Sequence, residues 1–361
     1  MFERVLLPEK LECKLNAHFE RTREHFSRLK AKAPEAIVLG GGYGRGEGGV
    51  TEDSAGQPCF FNDLDYFIFT DSPDDQELVA AVHEWEQAES LKMGIDVEGK
   101  CLPKSDLRQT KESMMFYDLV AGHIIVYGPE DFFSAYSALA DPGTIAAVEA
   151  TRLLWNRGTG LLFARTDLAG EKDLDVVHRN QSKAKLALGD ALLTLCGKYR
   201  PFARERHHLL SEMEGLDERI VKLHALGIDF KLKPTACPSP EELHATQQEL
   251  TELWLDCFLK VESSRLGCEF GSPEAYAMHS GKLYPESQTL KNLLLGFRDR
   301  IKRDGCLHPV RDYPRGALQR ALVLLLKPEP DWDRISYHLG RKLSDLRVAV
   351  EVYEWWWQYY S

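Results

Sequence analysis

Leu15, Phe19, Phe26 and Leu29 recur at helical spacing with lysines and arginines between them, which predicts an amphipathic helix over residues 9–32, closed by Pro34. The period then changes. The short apolar run at 36–39 reads as a strand and opens into a glycine-dense loop from Gly40 to Gly49. A second strand is predicted over 64–69, antiparallel or mixed beside the first, with Asn62 as the turn residue before it. Ser72 or Asp74 caps a helix that runs to about Leu91. After Gly94, the sequence Ile95-Asp96-Val97-Glu98 alternates apolar and acidic residues, the period of a half-buried strand. A helix over 105–120, stopped by Gly122, and a strand over 123–128 complete this part.

Beyond Asp131 the strand signals vanish. Wide apolar faces around Leu153, Leu161, Leu186 and Leu192 predict helices, as do 241–262, 287–302, 316–326 and 334–360, with a proline-containing loop at 231–240. The expected fold class is therefore α+β, a small mixed sheet flanked by helices and followed by an α-helical bundle. It divides into an N-terminal helix at 1–34, a sheet domain at 35–130 and the bundle at 131–361. The terminal Trp355-Trp356-Trp357-Gln358-Tyr359-Tyr360 cannot face one side of a helix. Some of these aromatics must cover other helices, a partner chain or an acceptor, which leaves a homodimer open.

Composition narrows the classes. The 361 residues are 43% hydrophobic and 28% charged, as in a soluble globular protein. A net charge of −11 makes long nucleic acid a poor partner, because phosphate neutralisation drives that affinity. Eight dispersed cysteines without a Cys-x-x-Cys pair read as reduced thiols, and Cys306-x-His308 alone does not make a zinc site. The N-terminus lacks the apolar core of a secretory signal, and no run approaches the ~18 apolar residues of a spanning helix. The expected location is the cytoplasm, with no membrane partner. One stretch departs from the acidic average: residues 179–208 carry seven lysines and arginines against Asp190 and Glu205.

The concentrated chemistry lies at 37–69. Glycines let backbone N–H groups approach anionic oxygens closely, and a turn entering a helix adds the field of its N-terminus. Asp63 and Asp65, two apart on a strand, project from one face and offer the hard oxygens that Mg²⁺ takes beside substrate phosphates. The loop lacks the Gly-Lys-Ser/Thr ending of a P-loop, and a second aspartate two residues after Asp63 argues against a dinucleotide fold.

Gly41-Gly42, Arg45-Gly46-Glu47 and Asp63-Leu64-Asp65 together resemble the signature of the DNA polymerase β-like nucleotidyltransferase superfamily, over about residues 35–130. Gly42 stands where many members have serine. The 22 residues from Gly41 to Asp63 exceed the usual spacer, and the extra length at 51–61 reads as a lengthened loop between unchanged ends. The resemblance implies Mg²⁺-dependent (or Mn²⁺-dependent) transfer of a nucleoside monophosphate from an NTP to a hydroxyl acceptor, whether small molecule, protein or RNA end. Asp63 and Asp65 are then metal ligands, and a third carboxylate comes from a later strand, with Asp96 the first choice and Glu98 the second. Gly41, Gly42, Tyr43, Gly44 and Arg45 are the expected nucleotide-binding loop. Lys183 and Lys185, on the basic stretch, are expected to hold the triphosphate. The alternative is a catalytically inactive nucleotide-binding or partner-binding protein of the same fold.

Overall fold

The computed structural model describes residues 7–109, 113–303 and 305–360. The apolar run Ala36–Leu39 (β1) is buried along its length and lies inside a four-stranded sheet. A separate hairpin, β2 (Val50–Glu52) with β3 (Pro58–Phe60), follows the glycine loop. β4 (Leu64–Thr70) pairs antiparallel with β1, β5 (Val97–Pro103) pairs parallel with β4, and β6 (Ile124–Tyr127) pairs antiparallel with the other side of β1. The sheet is mixed, in the order β5-β4-β1-β6.

The helices around it are α1 (Glu9–Ser27), α2 (Gly41–Gly44), α3 (Gln76–Met93), α4 (Asp106–Gln109) and α5 (Met114–Ala121). Alternation along the strands sorts the two cores. Ile37, Leu39, Leu64, Tyr66, Ile68 and Val97 bury against Leu15, Phe19 and Phe26 of α1 and Val82 and Trp85 of α3. Val38, Phe67, Phe69 and Leu102 face the opposite way, onto Phe116 and Leu119 of α5 and onto Phe132 and Phe133. Asp65, in phase with Phe67 and Phe69, belongs to this second face.

Local chemistry accounts for departures from the expected boundaries. Asp75, rather than Ser72 or Asp74, caps α3, its carboxylate accepting from the Glu77 and Leu78 amides. The helix expected over 105–120 is two pieces, α4 and α5, and residues 110–112 between them lie outside the described residues. The stretch at 51–61 is the β2–β3 hairpin rather than a loop. Asp53 Oδ1 closes its turn by accepting from the Ala55 and Gln57 amides at 2.8 Å each.

The chain divides into two units. The first comprises the described residues up to Ala146 together with Cys196–Gly215 and Ile228–Thr235. The boundary expected near Glu130 therefore moves, and the chain re-enters the first unit twice. The remaining helices are α6 (Val148–Ala169), α7 (Leu174–Leu195), α8 (Ala203–Ser211), α9 (Glu218–Leu232), α10 (Pro240–Leu266), α11 (Pro273–Met278), α12 (Thr289–Arg303), α13 (Pro314–Leu325), α14 (Trp332–Leu339) and α15 (Leu346–Tyr360). In the second unit α6, α7 and α10 pack together, and the almost wholly buried α13 packs with α11, α14 and α15. The helix expected over 334–360 is broken at Gly340, whose φ of 67° caps α14. Of the terminal tryptophans, Trp356 is buried, Trp357 meets Phe163 edge-on and Trp355 is exposed.

A buried polar network ties α1 to α3 and β4. Burial keeps His18 neutral, so its Nδ1–H donates to Glu89 (2.8 Å) while Nε2 accepts from the Tyr66 hydroxyl (2.8 Å). Burial pushes the Glu89 carboxyl up, but hydrogen bonds from Arg21, Lys92 and His18 outweigh it and hold the pKa at about 2, below the usual 4.5. A group whose folded pKa is depressed stabilises the fold above its unfolded pKa and loses that contribution as pH falls toward the folded value. Urea midpoints should therefore drop between pH 4.5 and about 2. Glu89→Gln should cost about 1–3 kcal/mol at neutral pH and flatten this acid dependence. An unchanged acid profile in the variant would show that another carboxylate carries it.

Candidate metal centre

The site is built at the start of β4, where the register with β5 and the contact with the glycine loop coincide. Asp63 ends the turn before β4, and Asp65 is its second residue. Leu64, between them, is buried in the opposite core, so the two aspartates share the other face. The parallel pairing sets Asp65 directly beside Glu98. One carboxylate oxygen from each of Asp63, Asp65 and Glu98 lies within 4.8 Å of the others. Asp63 and Asp65 are half-buried and Glu98 is exposed, so the cluster opens to solvent on one side.

Asp96, the first choice for the third carboxylate, is not in the cluster. It precedes β5, its carbonyl accepts the Leu64 N–H at 2.9 Å, and its side chain is exposed. Glu98 stands one full strand step further on, level with Asp65, and is longer by one methylene. Alternation puts both acids on one face; the register selects Glu98.

The glycine loop packs onto this cluster through its backbone. The Gly40 N–H donates to the Asp65 carbonyl at 2.9 Å, and Gly41 has a φ of +60°. A Cβ at Gly41 would stand 2.2 Å from Asp65 Oδ2, so only glycine lets the chain lie against the carboxylate. Gly41 and Gly42 with Tyr43 form the first turn of α2, where N–H groups have no acceptor one turn back.

Other expected loop residues serve structure. Tyr43 is buried, its hydroxyl donating to the Gly49 carbonyl (2.6 Å) and accepting from the Phe61 amide (3.1 Å), which clasps the hairpin to the loop. Burial pushes its phenol up to about 12. A Cβ at Gly48 would fall 1.9 Å from the Tyr43 ring. The Arg45 guanidinium lies 3.2 Å from Asp118 on α5, with the Gly122 backbone against its stem. The Tyr43 side chain is thus taken up by the loop and hairpin, and Arg45 anchors the loop to α5. Lys183 and Lys185 are half-buried on α7, in the second unit, and do not belong to the unit that builds the carboxylate cluster.

One support escapes sequence reasoning. Glu47, in the glycine loop, is buried, accepts from the Ala203 amide (2.8 Å) and pairs with Lys231 (2.7 Å). Burial opposes its ionisation, but the Lys231 ammonium holds its carboxyl below the usual range. The partners lie 156 and 184 positions along the chain, on segments whose helical patterning carries no sign of where they return.

Three hard oxygen donors this close repel one another, by about 1 kcal/mol per pair in water and several times more at a lower dielectric. A divalent cation offsets that repulsion, and oxygen-only donors suit Mg²⁺ or Mn²⁺. No protein-family model matches this chain, and no curated protein sequence matches it.

Titration with Mn²⁺, followed by the loss of the free-ion paramagnetic resonance signal, should separate the two candidate carboxylates. Glu98→Gln is expected to weaken binding at least about tenfold, and Asp96→Asn to leave it unchanged. Equal losses in the two variants would reject the cluster. Gly41→Ala should impair binding as Glu98→Gln does, because its methyl group must displace Asp65.

Proposed function

We propose that the first unit is a DNA polymerase β-like nucleotidyltransferase domain, which moves a nucleoside monophosphate from an NTP to a hydroxyl acceptor. The carrying observation is the convergence of Asp63, Asp65 and Glu98 within 4.8 Å beside a loop whose Gly41 admits no side chain. Donor chemistry and loop both fit a metal-bound triphosphate. Asp63, Asp65 and Glu98 would hold the divalent cation, which when bound neutralises phosphate charge and makes the acceptor hydroxyl more acidic.

The chain's own groups have distinct tasks. The amides of Gly41, Gly42 and Tyr43 donate to phosphate oxygens. The Tyr43 clasp and the Arg45 and Glu47 ion pairs keep that turn fixed, so the donors are in place before the nucleotide binds. In the net reaction the acceptor oxygen bonds to the α-phosphorus, the bond from that phosphorus to the pyrophosphate oxygen breaks, and the acceptor proton passes to solvent. The acidic chain favours a small molecule or a protein over a long nucleic acid as acceptor. No helix among the described residues is long and apolar enough to cross a membrane.

Incubation with each labelled NTP, Mg²⁺ and a cell extract should release pyrophosphate and label an acceptor. Asp63→Ala, Asp65→Ala and Glu98→Ala are each expected to lower the rate about a hundredfold or more, with unchanged circular dichroism, whereas Asp96→Ala retains activity. Undiminished turnover in Asp65→Ala would refute the assignment. Metal-dependent NTP binding without pyrophosphate release would favour the inactive binding protein.

A further inference from the structure

Helix α12 is packed with its polar side inward. Its buried residues are Asn292 and Asp299. Asn292 Nδ2 donates to the Arg311 carbonyl and the Ser287 hydroxyl, each at 3.0 Å, and Asp299 accepts from Arg298 and the Tyr360 hydroxyl. Five of its six large apolar residues point the other way, Leu295 alone being half-buried. Leu290, Leu293, Leu294, Phe297 and Ile301 are 78%, 45%, 71%, 66% and 67% exposed. At 3.6 residues per turn these five fall within one arc of about 100°, the width of a face that normally lies against a core. Lys291 and Lys302 follow one flank of the stripe and Arg300 the other, while Arg298 on the first flank is paired with the inward-turned Asp299.

We propose that this face docks on an anionic lipid surface, with α12 lying in the plane of the interface, its stripe among the acyl chains and its flanking cations at the headgroup phosphates. Charge selects the occupant: although the whole chain carries a net charge of −11, α12 itself has five lysines and arginines against Asp299 alone, so this strip is locally complementary to an anionic surface. A second copy of the chain would bring the same cations against each other. The exposed apolar stripe is one helix wide, with cations on both borders. With 15 residues, α12 is about 22 Å long and lies on the membrane rather than across it. The sequence predicts no membrane partner; the surface contact proposed here departs from that expectation and does not depend on the metal centre.

Flotation of the full chain with vesicles tests this. Vesicles of phosphatidylglycerol mixed with phosphatidylcholine should carry the protein upward, vesicles of phosphatidylcholine alone should not, and added salt should weaken the association. Phe297→Glu, a change at an exposed position that circular dichroism should show to be folded, is expected to reduce binding at least about tenfold. Lys291→Glu combined with Lys302→Glu should reduce it for the anionic vesicles. Absence of flotation with anionic vesicles, or equal flotation of folded Phe297→Glu, would overturn the proposal. A concentration-dependent dimer that Phe297→Glu abolishes, without vesicle binding, would assign the face to a second copy instead.

Discussion

Everything in the candidate site depends on how closely the backbone at Gly41 approaches the Asp65 carboxylate. The Gly40 N–H holds the Asp65 carbonyl, so the loop begins as a continuation of the β1–β4 ladder and cannot drift from the strand that carries the acids. At the next residue the chain turns through a left-handed conformation and lays its backbone where any side chain would strike Oδ2. The amides proposed to bind phosphate and the carboxylates proposed to bind a metal thus meet through one short contact. The parallel β4–β5 pairing then adds Glu98 from the other side.

The surrounding structure stiffens that contact. Like charges brought together at a sheet edge resist folding, so the loop and strands must be held by other means. Tyr43 fastens the hairpin, Arg45 reaches Asp118, and Glu47 ties the loop to Ala203 and Lys231. On the far face the His18–Glu89–Tyr66 network and the apolar packing of α1 and α3 fix the position of β4 from behind. Residues of the loop that resemble ligand-binding groups in sequence are in large part braces, which leaves the proposed phosphate recognition to the backbone.

Much of this could be read before the structure. The 3.6-residue period of α1 and α10, the apolar runs of β1, β4 and β6, and the two-residue spacing of Asp63 and Asp65 are local signals, and local physics decides them. The choice between Asp96 and Glu98 was not legible, because both obey the same alternation and only the register of a parallel pair, set by residues some thirty positions apart, distinguishes them. The hairpin at 50–60 was hidden because each strand has three residues, too few to show a period. The basic stretch at 179–208 read as one feature, yet it is divided between the two units after Leu195. Sequence shows that such a segment is helical and charged; where it folds back depends on buried pairs such as Glu47 and Lys231, whose members lie 184 positions apart.

The central claim is that three carboxylates and the Gly41 turn form one centre for a metal and a triphosphate. The most direct measurement is anomalous diffraction from crystals grown with Mn²⁺ and a non-hydrolysable NTP. A peak about 2.0–2.3 Å from oxygens of Asp63, Asp65 and Glu98, with phosphate oxygens at the Gly41 and Gly42 amides, is the expected result. A peak ligated by Asp96 instead of Glu98, or a nucleotide bound away from the glycine loop, would contradict it.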